Sequence, residues 1–159
     1  MRIEISLNGE KRWFVTDPDE SLLDLLRRYG LTGTKKGCGE GTCGSCVVLL
    51  DGRPVNSCLI FAPQAAGREV TSIEGVGTIR EPHPIQEELV RAGAVQCGFC
   101  TPGMVLSIKA LLEENPDPDE EAIRLALDGN LCRCTGYVKI IEAVGAAARR
   151  LREGGDGER

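Results

Sequence analysis

The sequence predicts an α+β chain in two parts: a small mixed-sheet domain over residues 1–73 and an all-α domain over 85–153. Three observations carry that division. Apolar and polar residues alternate near the start, as in half-buried strands, whereas beyond Ile85 apolar residues recur every three or four positions, as in amphipathic helices. Between the two, residues 74–84 lose both periods and read as a linker. The eight cysteines also divide four and four, with Cys38, Cys43, Cys46 and Cys58 in the first part and Cys97, Cys100, Cys132 and Cys134 in the second.

Taken in order, Arg2–Leu7 places Ile3, Ile5 and Leu7 on one side and Arg2, Glu4 and Ser6 on the other. Asn8-Gly9 is the residue pair preferred in a type I′ hairpin turn, so Lys11–Thr16, with the single tryptophan Trp13 and Phe14, is the returning strand. After the Asp17-Pro18-Asp19 turn, Ser21 and Asp24 resemble a capping box ahead of Leu22, Leu25 and Leu26, and the helix stops at Gly30. Val47–Leu50, Asp51-Gly52 and Arg53–Val55 repeat the hairpin pattern, and Glu69–Ser72 is a last short strand. Two hairpins, one crossing helix and a final strand make a domain of the β-grasp kind, with a glycine-rich cysteine loop exposed at one edge. In the linker, His83 stands between two prolines and reads as a solvated residue. Ile85–Ala92, Pro102–Glu113, Pro118–Leu127 and Tyr137–Arg152 then supply four helices for a compact four-helix bundle, and residues 154–159 read as a disordered tail.

The cysteine loop carries the chemistry. Cys38, Cys43 and Cys46 have the C-x4-C-x2-C spacing of plant-type 2Fe-2S ferredoxins, and Cys58 is available as the fourth ligand. Gly37, Gly39, Gly41 and Gly44 let the backbone close tightly and turn N–H groups towards an anionic cluster. In the second set, Cys97 and Cys100, and then Cys132 and Cys134, each run into a threonine and a helix, with Thr101 and Thr135 placed as N-caps and Pro102 at the first helical position. Two helix N-termini facing one cluster would help hold its charge, and the repeat points to a local pseudo-two-fold axis. Tetrahedral zinc remains an alternative for four cysteines, although C-x2-C followed about thirty residues later by C-x-C is not a common zinc-finger spacing. One histidine excludes a Rieske centre, which needs two. The chain opens without a signal-peptide pattern and has no membrane-spanning apolar run, so a cytoplasmic protein with reduced thiols is expected. A net charge of -5 argues against a nucleic-acid surface.

With both sets in view, the chain resembles the small iron-sulfur subunit of the molybdenum hydroxylases, the xanthine dehydrogenase, aldehyde oxidoreductase and carbon monoxide dehydrogenase family. The resemblance rests on Gly33-Thr34-Lys35, Gly37-Cys38, Cys43-Gly44-Ser45-Cys46, Ser57-Cys58-Leu59, residues 96–103 from Gln96 to Gly103, and residues 129–137 from Gly129 to Tyr137. It implies a plant-type ferredoxin domain followed by a helical 2Fe-2S domain. Cys38, Cys43, Cys46 and Cys58 would bind the outer cluster, and Cys97, Cys100, Cys132 and Cys134 the inner one. Gln96 would hydrogen-bond the pterin, with Cys134 at the point where electrons arrive. The same resemblance implies a large molybdopterin-binding subunit and a medium FAD-binding subunit, in a dimer of heterotrimers.

No residue of this chain is assigned to catalysis. The implied role is conduction: electrons leave molybdenum one at a time through the inner cluster, then the outer cluster, then flavin, and the protein positions and tunes its cofactors. One rival is the small subunit of a 4-hydroxybenzoyl-CoA reductase-like enzyme, running electrons towards molybdenum, for which Tyr137-Val138-Lys139-Ile140-Ile141 is the corresponding run. Others are a free-standing two-cluster carrier and a zinc-stabilised binding module. Lys35 and Lys36 read as solvated residues beside the loop.

Overall fold

The computed structural model describes residues 1–155. Strands β1 (Arg2–Leu7) and β2 (Glu10–Val15) form the first hairpin. Both turn residues, Asn8 and Gly9, have positive φ (52° and 83°), as a type I′ turn requires. Helix α1 (Leu22–Arg28) starts at Ser21, whose hydroxyl accepts from the Asp24 N–H at 3.0 Å, and it buries Leu22, Leu23, Leu25 and Leu26. Strands β3 (Val47–Leu50), β4 (Arg53–Asn56) and β5 (Glu69–Thr71) complete a five-stranded sheet of order β2-β1-β5-β3-β4. Only β1 and β5 run parallel; the other neighbours are antiparallel.

All four residues of β3 are buried, because both its faces are covered. Val48 and Leu50 join Phe14, Ile5 and the α1 residues Leu22, Leu25 and Leu26 in one core, whereas Val47 and Leu49 point the other way, onto Leu106 of the helical half. That half contains α2 (Pro84–Arg91), α3 (Thr101–Glu114), α4 (Glu120–Leu127) and α5 (Val138–Gly155), which share a core built on Ile85, Met104, Ile108, Ile123, Ile140 and Val144. Helix α3 is apolar on two sides: Met104, Val105 and Ile108 meet the other helices, and Leu106 meets the sheet. A helix buried on both sides reads apolar nearly all round.

The segment between the halves is more structured than its composition implies. Ile73–Gly75 form a 3₁₀ turn, and Ile73 and Val76 pack against both the helical core and the Leu106 patch. His83 is a half-buried N-cap: its Nδ1 accepts from the Ile85 N–H at 3.2 Å, and its own N–H donates to Gln86 Oε1 at 2.9 Å. Burial, then the nearby Lys109, hold its pKa below the ordinary histidine value. The ring is therefore neutral near pH 7, with Nδ1 free to accept. Thr101 is the first residue of α3 and Cys100 its N-cap, one position earlier than expected. Thr135 does not cap α5, because Gly136 and Tyr137, both at φ 70°, turn the chain before the helix begins at Val138. Gly154 and Gly155, expected in the tail, end α5, and residues 156–159 lie outside the described residues. Among the described residues no helix is long and apolar enough to cross a membrane.

Candidate functional site

All eight cysteines are free thiols, gathered four and four. In the first set the loop between α1 and β3 folds around Cys38 Sγ, which accepts from the backbone N–H groups of Glu40, Thr42 and Cys43 at 3.4, 3.3 and 3.4 Å. The Cys38 N–H in turn donates to Cys43 Sγ at 3.4 Å. The Glu40 amide, then that of Cys43, hold the Cys38 thiol down at about 6, as a nest of donors should for a thiolate. Cys46 is buried at the start of β3, and Cys58 lies beside it on the short 3₁₀ turn after β4. Burial, reinforced by the Cys46 sulfur, pushes Cys58 up to about 11. Asn56 Nδ2 donates to Gly41 O at 3.0 Å and Ser57 Oγ to Cys46 O at 2.6 Å, so β4 holds the loop in place. Lys36, expected as merely solvated, pairs with Asp24 at 2.8 Å and ties the loop to α1, and Lys35 Nζ donates to Thr32 O at 2.9 Å.

The second set is assembled from two segments. Cys97 and Cys100 precede α3; Cys132 and Cys134 lie between α4 and α5. Cys134 Sγ is 3.6 Å from Cys97 Sγ, and Cys100 pairs with Cys132. Burial, then Cys132, push Cys100 up to about 12. Burial acts upward on Cys132 too, but the Thr135 hydroxyl and the Cys134 and Thr135 N–H groups outweigh it and leave that thiol below its ordinary value. Thr135 Oγ1 donates to Cys132 Sγ at 3.1 Å. Tyr137, named in the sequence only as part of a motif and as a helix start, staples this loop: its hydroxyl accepts from the Cys132 N–H at 2.8 Å and donates to Asn130 O at 2.9 Å. Gln96 Nε2 donates to Cys134 O at 3.1 Å, which brings these two expected site residues together on the exposed rim. A cavity of about 250 Å³ lies among Cys97, Cys100, Cys132 and Cys134, with Phe99 and Leu131 in its wall.

In both sets the sulfurs come as two pairs, Cys38 with Cys43 and Cys46 with Cys58, then Cys97 with Cys134 and Cys100 with Cys132. A di-iron centre held by four thiolates, two to each iron, fits pairs, whereas zinc gathers all four sulfurs about one point. Among the described residues no three ligating side chains converge on a single-ion site. The donor nest around Cys38 and the Thr135 hydroxyl on Cys132 suit anionic sulfur, so both sets fit the 2Fe-2S group.

Residues 5–70 match the 2Fe-2S iron-sulfur cluster binding domain and residues 72–145 the 2Fe-2S binding domain. Over 149 residues the chain is 52% identical to the nicotinate dehydrogenase small FeS subunit of Eubacterium barkeri, covering 93% of this chain and 95% of that one. The chain belongs to the molybdenum hydroxylase family, as a small iron-sulfur subunit. Two solved structures of the family superpose on nearly all of it. Quinoline 2-oxidoreductase from Pseudomonas putida 86 matches with a TM-score of 0.92 at 45% identity, over 97% of each chain. Aldehyde oxidoreductase from Desulfovibrio gigas matches with a TM-score of 0.93 at 41% identity, over 97% of this chain and 17% of that one. As a small iron-sulfur subunit, the chain transfers electrons within a multi-subunit oxidoreductase, with two 2Fe-2S clusters as its cofactors. The molybdopterin and FAD of the family are carried on partner subunits.

Proposed function

We propose that Cys38, Cys43, Cys46 and Cys58 hold the outer cluster and Cys97, Cys100, Cys132 and Cys134 the inner one. The partners in this reading are a large molybdopterin-binding subunit and a medium FAD-binding subunit, in a cytoplasmic dimer of heterotrimers. What carries the reading is the gathering of eight free thiols into two sets of two pairs, in a chain of which 93% matches 95% of a small FeS subunit. Residues 1–73 are the β-grasp unit, 74–84 the anchored connection and 85–153 a four-helix bundle around the inner site. The Gln96–Cys134 contact is the edge that meets the pterin, since both residues are exposed and joined at 3.1 Å.

The bound clusters supply one-electron redox chemistry. The chain's residues do the rest: amides and hydroxyls hold thiolate charge, apolar packing excludes water, and the backbone fixes one site against the other. With molybdenum held on the partner subunit, the two cysteine sets would pass electrons outward, in the direction of substrate oxidation. Two relatives matched over 95% and 97% of their own length are a nicotinate dehydrogenase small FeS subunit and a quinoline 2-oxidoreductase, which favours an N-heteroaromatic substrate for the assembled enzyme.

The test is iron, sulfide, molybdenum and flavin analysis of the co-expressed complex with EPR of its reduced form, followed by assay of nicotinate and quinoline oxidation against ferredoxin-driven reduction. Two distinct 2Fe-2S signals and substrate oxidation are expected. A colourless chain with stoichiometric zinc, or one that stays monomeric beside its neighbouring subunits, would refute the reading.

A further inference from the structure

Both sets surround sulfur with hydrogen-bond donors, but the donors differ in kind. Cys38 Sγ accepts from three main-chain amides at 3.4, 3.3 and 3.4 Å. Among the described residues Thr135 is the one whose side-chain hydroxyl donates to a cysteine sulfur, reaching Cys132 Sγ at 3.1 Å, and both residues are half-buried. Hydrogen bonds to the sulfurs are one lever on an iron–sulfur potential. Reduction adds negative charge to a group that is already anionic, so a donor dipole aimed at its sulfur stabilises the reduced form more than the oxidised one. Away from bulk water that preference grows.

The hydroxyl is aimed. The Tyr137 N–H donates to Thr135 Oγ1 at 3.4 Å, which occupies the oxygen as an acceptor and leaves its proton for Cys132. That N–H faces back along the chain because Gly136 and Tyr137 both stand at φ 70°. The same tyrosine fixes the residue that bears the sulfur: its hydroxyl accepts from the Cys132 N–H at 2.8 Å and donates to Asn130 O at 2.9 Å. Asn130 is locked in turn, donating from Nδ2 to Gly44 O at 3.2 Å and accepting at Oδ1 from Ser107 Oγ of α3 at 2.8 Å. At that seam the two halves leave no space, since a Cβ on Gly44 would run into Gly129 O. One residue therefore steadies donor and acceptor together, and the branched Cβ of threonine limits the turning of its hydroxyl.

We propose that the Thr135 hydroxyl, acting through Cys132 Sγ, raises the reduction potential of the second cysteine set above the value its four cysteines alone would give. The proposal rests on the two-cluster reading above. In each event one electron passes from the reductant to the centre held by Cys97, Cys100, Cys132 and Cys134. The reductant is oxidised by one electron, no covalent bond forms or breaks, and the proton stays on Thr135 Oγ1. The first set has no such handle at Cys38, because its donors there are main-chain amides that no exchange of a side chain removes. The competing role for Thr135 is mechanical: a tie that keeps the loop closed, whose loss would loosen packing and leave the potential where it was.

The experiment uses the complex assembled with its partner subunits. Iron content and the two EPR signals of the unmodified complex are measured first, and their absence defeats the two-cluster reading itself. The signal lost in Cys100→Ser marks the second set. Thr135→Val and Thr135→Ser are then poised at a series of potentials, and each signal is followed separately. Thr135→Val removes the donor at nearly constant volume, and the equilibrium constant for reducing the second centre is expected to fall about tenfold, which is about 59 mV for one electron. Thr135→Ser keeps the hydroxyl and is expected to stay within about twofold of the native constant, with the first signal titrating unchanged in both variants. A native midpoint in Thr135→Val overturns the proposal, as does an equal fall in Thr135→Ser or a fall shared by both signals. Should the valine chain not load its second set, Thr135→Ala is read in its place by the same criteria. If neither loads, the hydroxyl is a requirement of assembly, and the tuning role is overturned.

Discussion

The two cysteine sets solve one problem in different ways. The first is local: its four sulfurs come from residues 38–58, and backbone amides supply the donors around Cys38. The second draws on segments separated by a whole helical hairpin, with the Thr135 hydroxyl donating to Cys132 Sγ and the Tyr137 hydroxyl accepting from the Cys132 N–H. A loop that closes on itself needs little from the rest of the fold. A site gathered from two ends of α3 and α4 exists only while those helices stay packed. The first set should thus resist damage elsewhere, and the second should report it.

The sharpest break is at the ligands. Cys46→Ser and Cys100→Ser should each halve the iron bound and abolish one EPR signal while sparing the other. Loss of both signals from either change would mean that the sets are not independent. Next is Leu106→Ala, which empties the contact between α3 and β3 and should cost about 3 kcal/mol by chemical denaturation. The second EPR signal should broaden and the first stay sharp, and the reverse result would invert the comparison. Tyr137→Phe removes both staple hydrogen bonds for a loss of about 2 kcal/mol, with faster cluster loss to chelator from the second set alone. The smallest effect concerns the frame of the first set. Arg28 first, then Thr16, hold the Glu20 carboxyl below its ordinary range against the opposing effect of burial. A lowered folded pKa gives stability that is fully present above the unfolded value near 4.5 and is lost as pH falls through the folded one. Glu20→Gln should therefore be less stable by about 1 kcal/mol or less, equally at pH 7 and pH 5, with the gap closing only below that range. A gap that changes between pH 7 and 5 would contradict the assignment.

The same contrast governs what the sequence could tell. Much that is local is legible: the Asn8-Gly9 and Asp51-Gly52 turns, the Ser21 cap, the alternation of β1, and the cysteine spacing with its glycines. Contacts between distant residues are not. Leu106 reads as one more apolar residue in a helix, and only the fold turns it away from the helical core onto Val47 and Leu49. Asn130 looks like a turn residue until α3 brings Ser107 to one side of its amide and the first loop brings Gly44 to the other. Thr135 reads as a cap because a threonine before a helix usually is one, but the left-handed pair Gly136 and Tyr137 delays the helix and sends the hydroxyl to sulfur. His83 between prolines looks exposed, and the Ile85 N–H it satisfies is visible only once α2 has formed.

The seam where Gly44, Gly103 and Gly129 meet has already been drawn as tight as hydrogen atoms permit. A Cβ on Gly44 or Gly103 would lie 2.2 Å from a backbone oxygen, so substitution at these two positions can only widen the gap, whereas one on Gly129 would meet open space. Any side chain larger than hydrogen at Gly44 or Gly103 would therefore have to push the sheet half and the helical half apart.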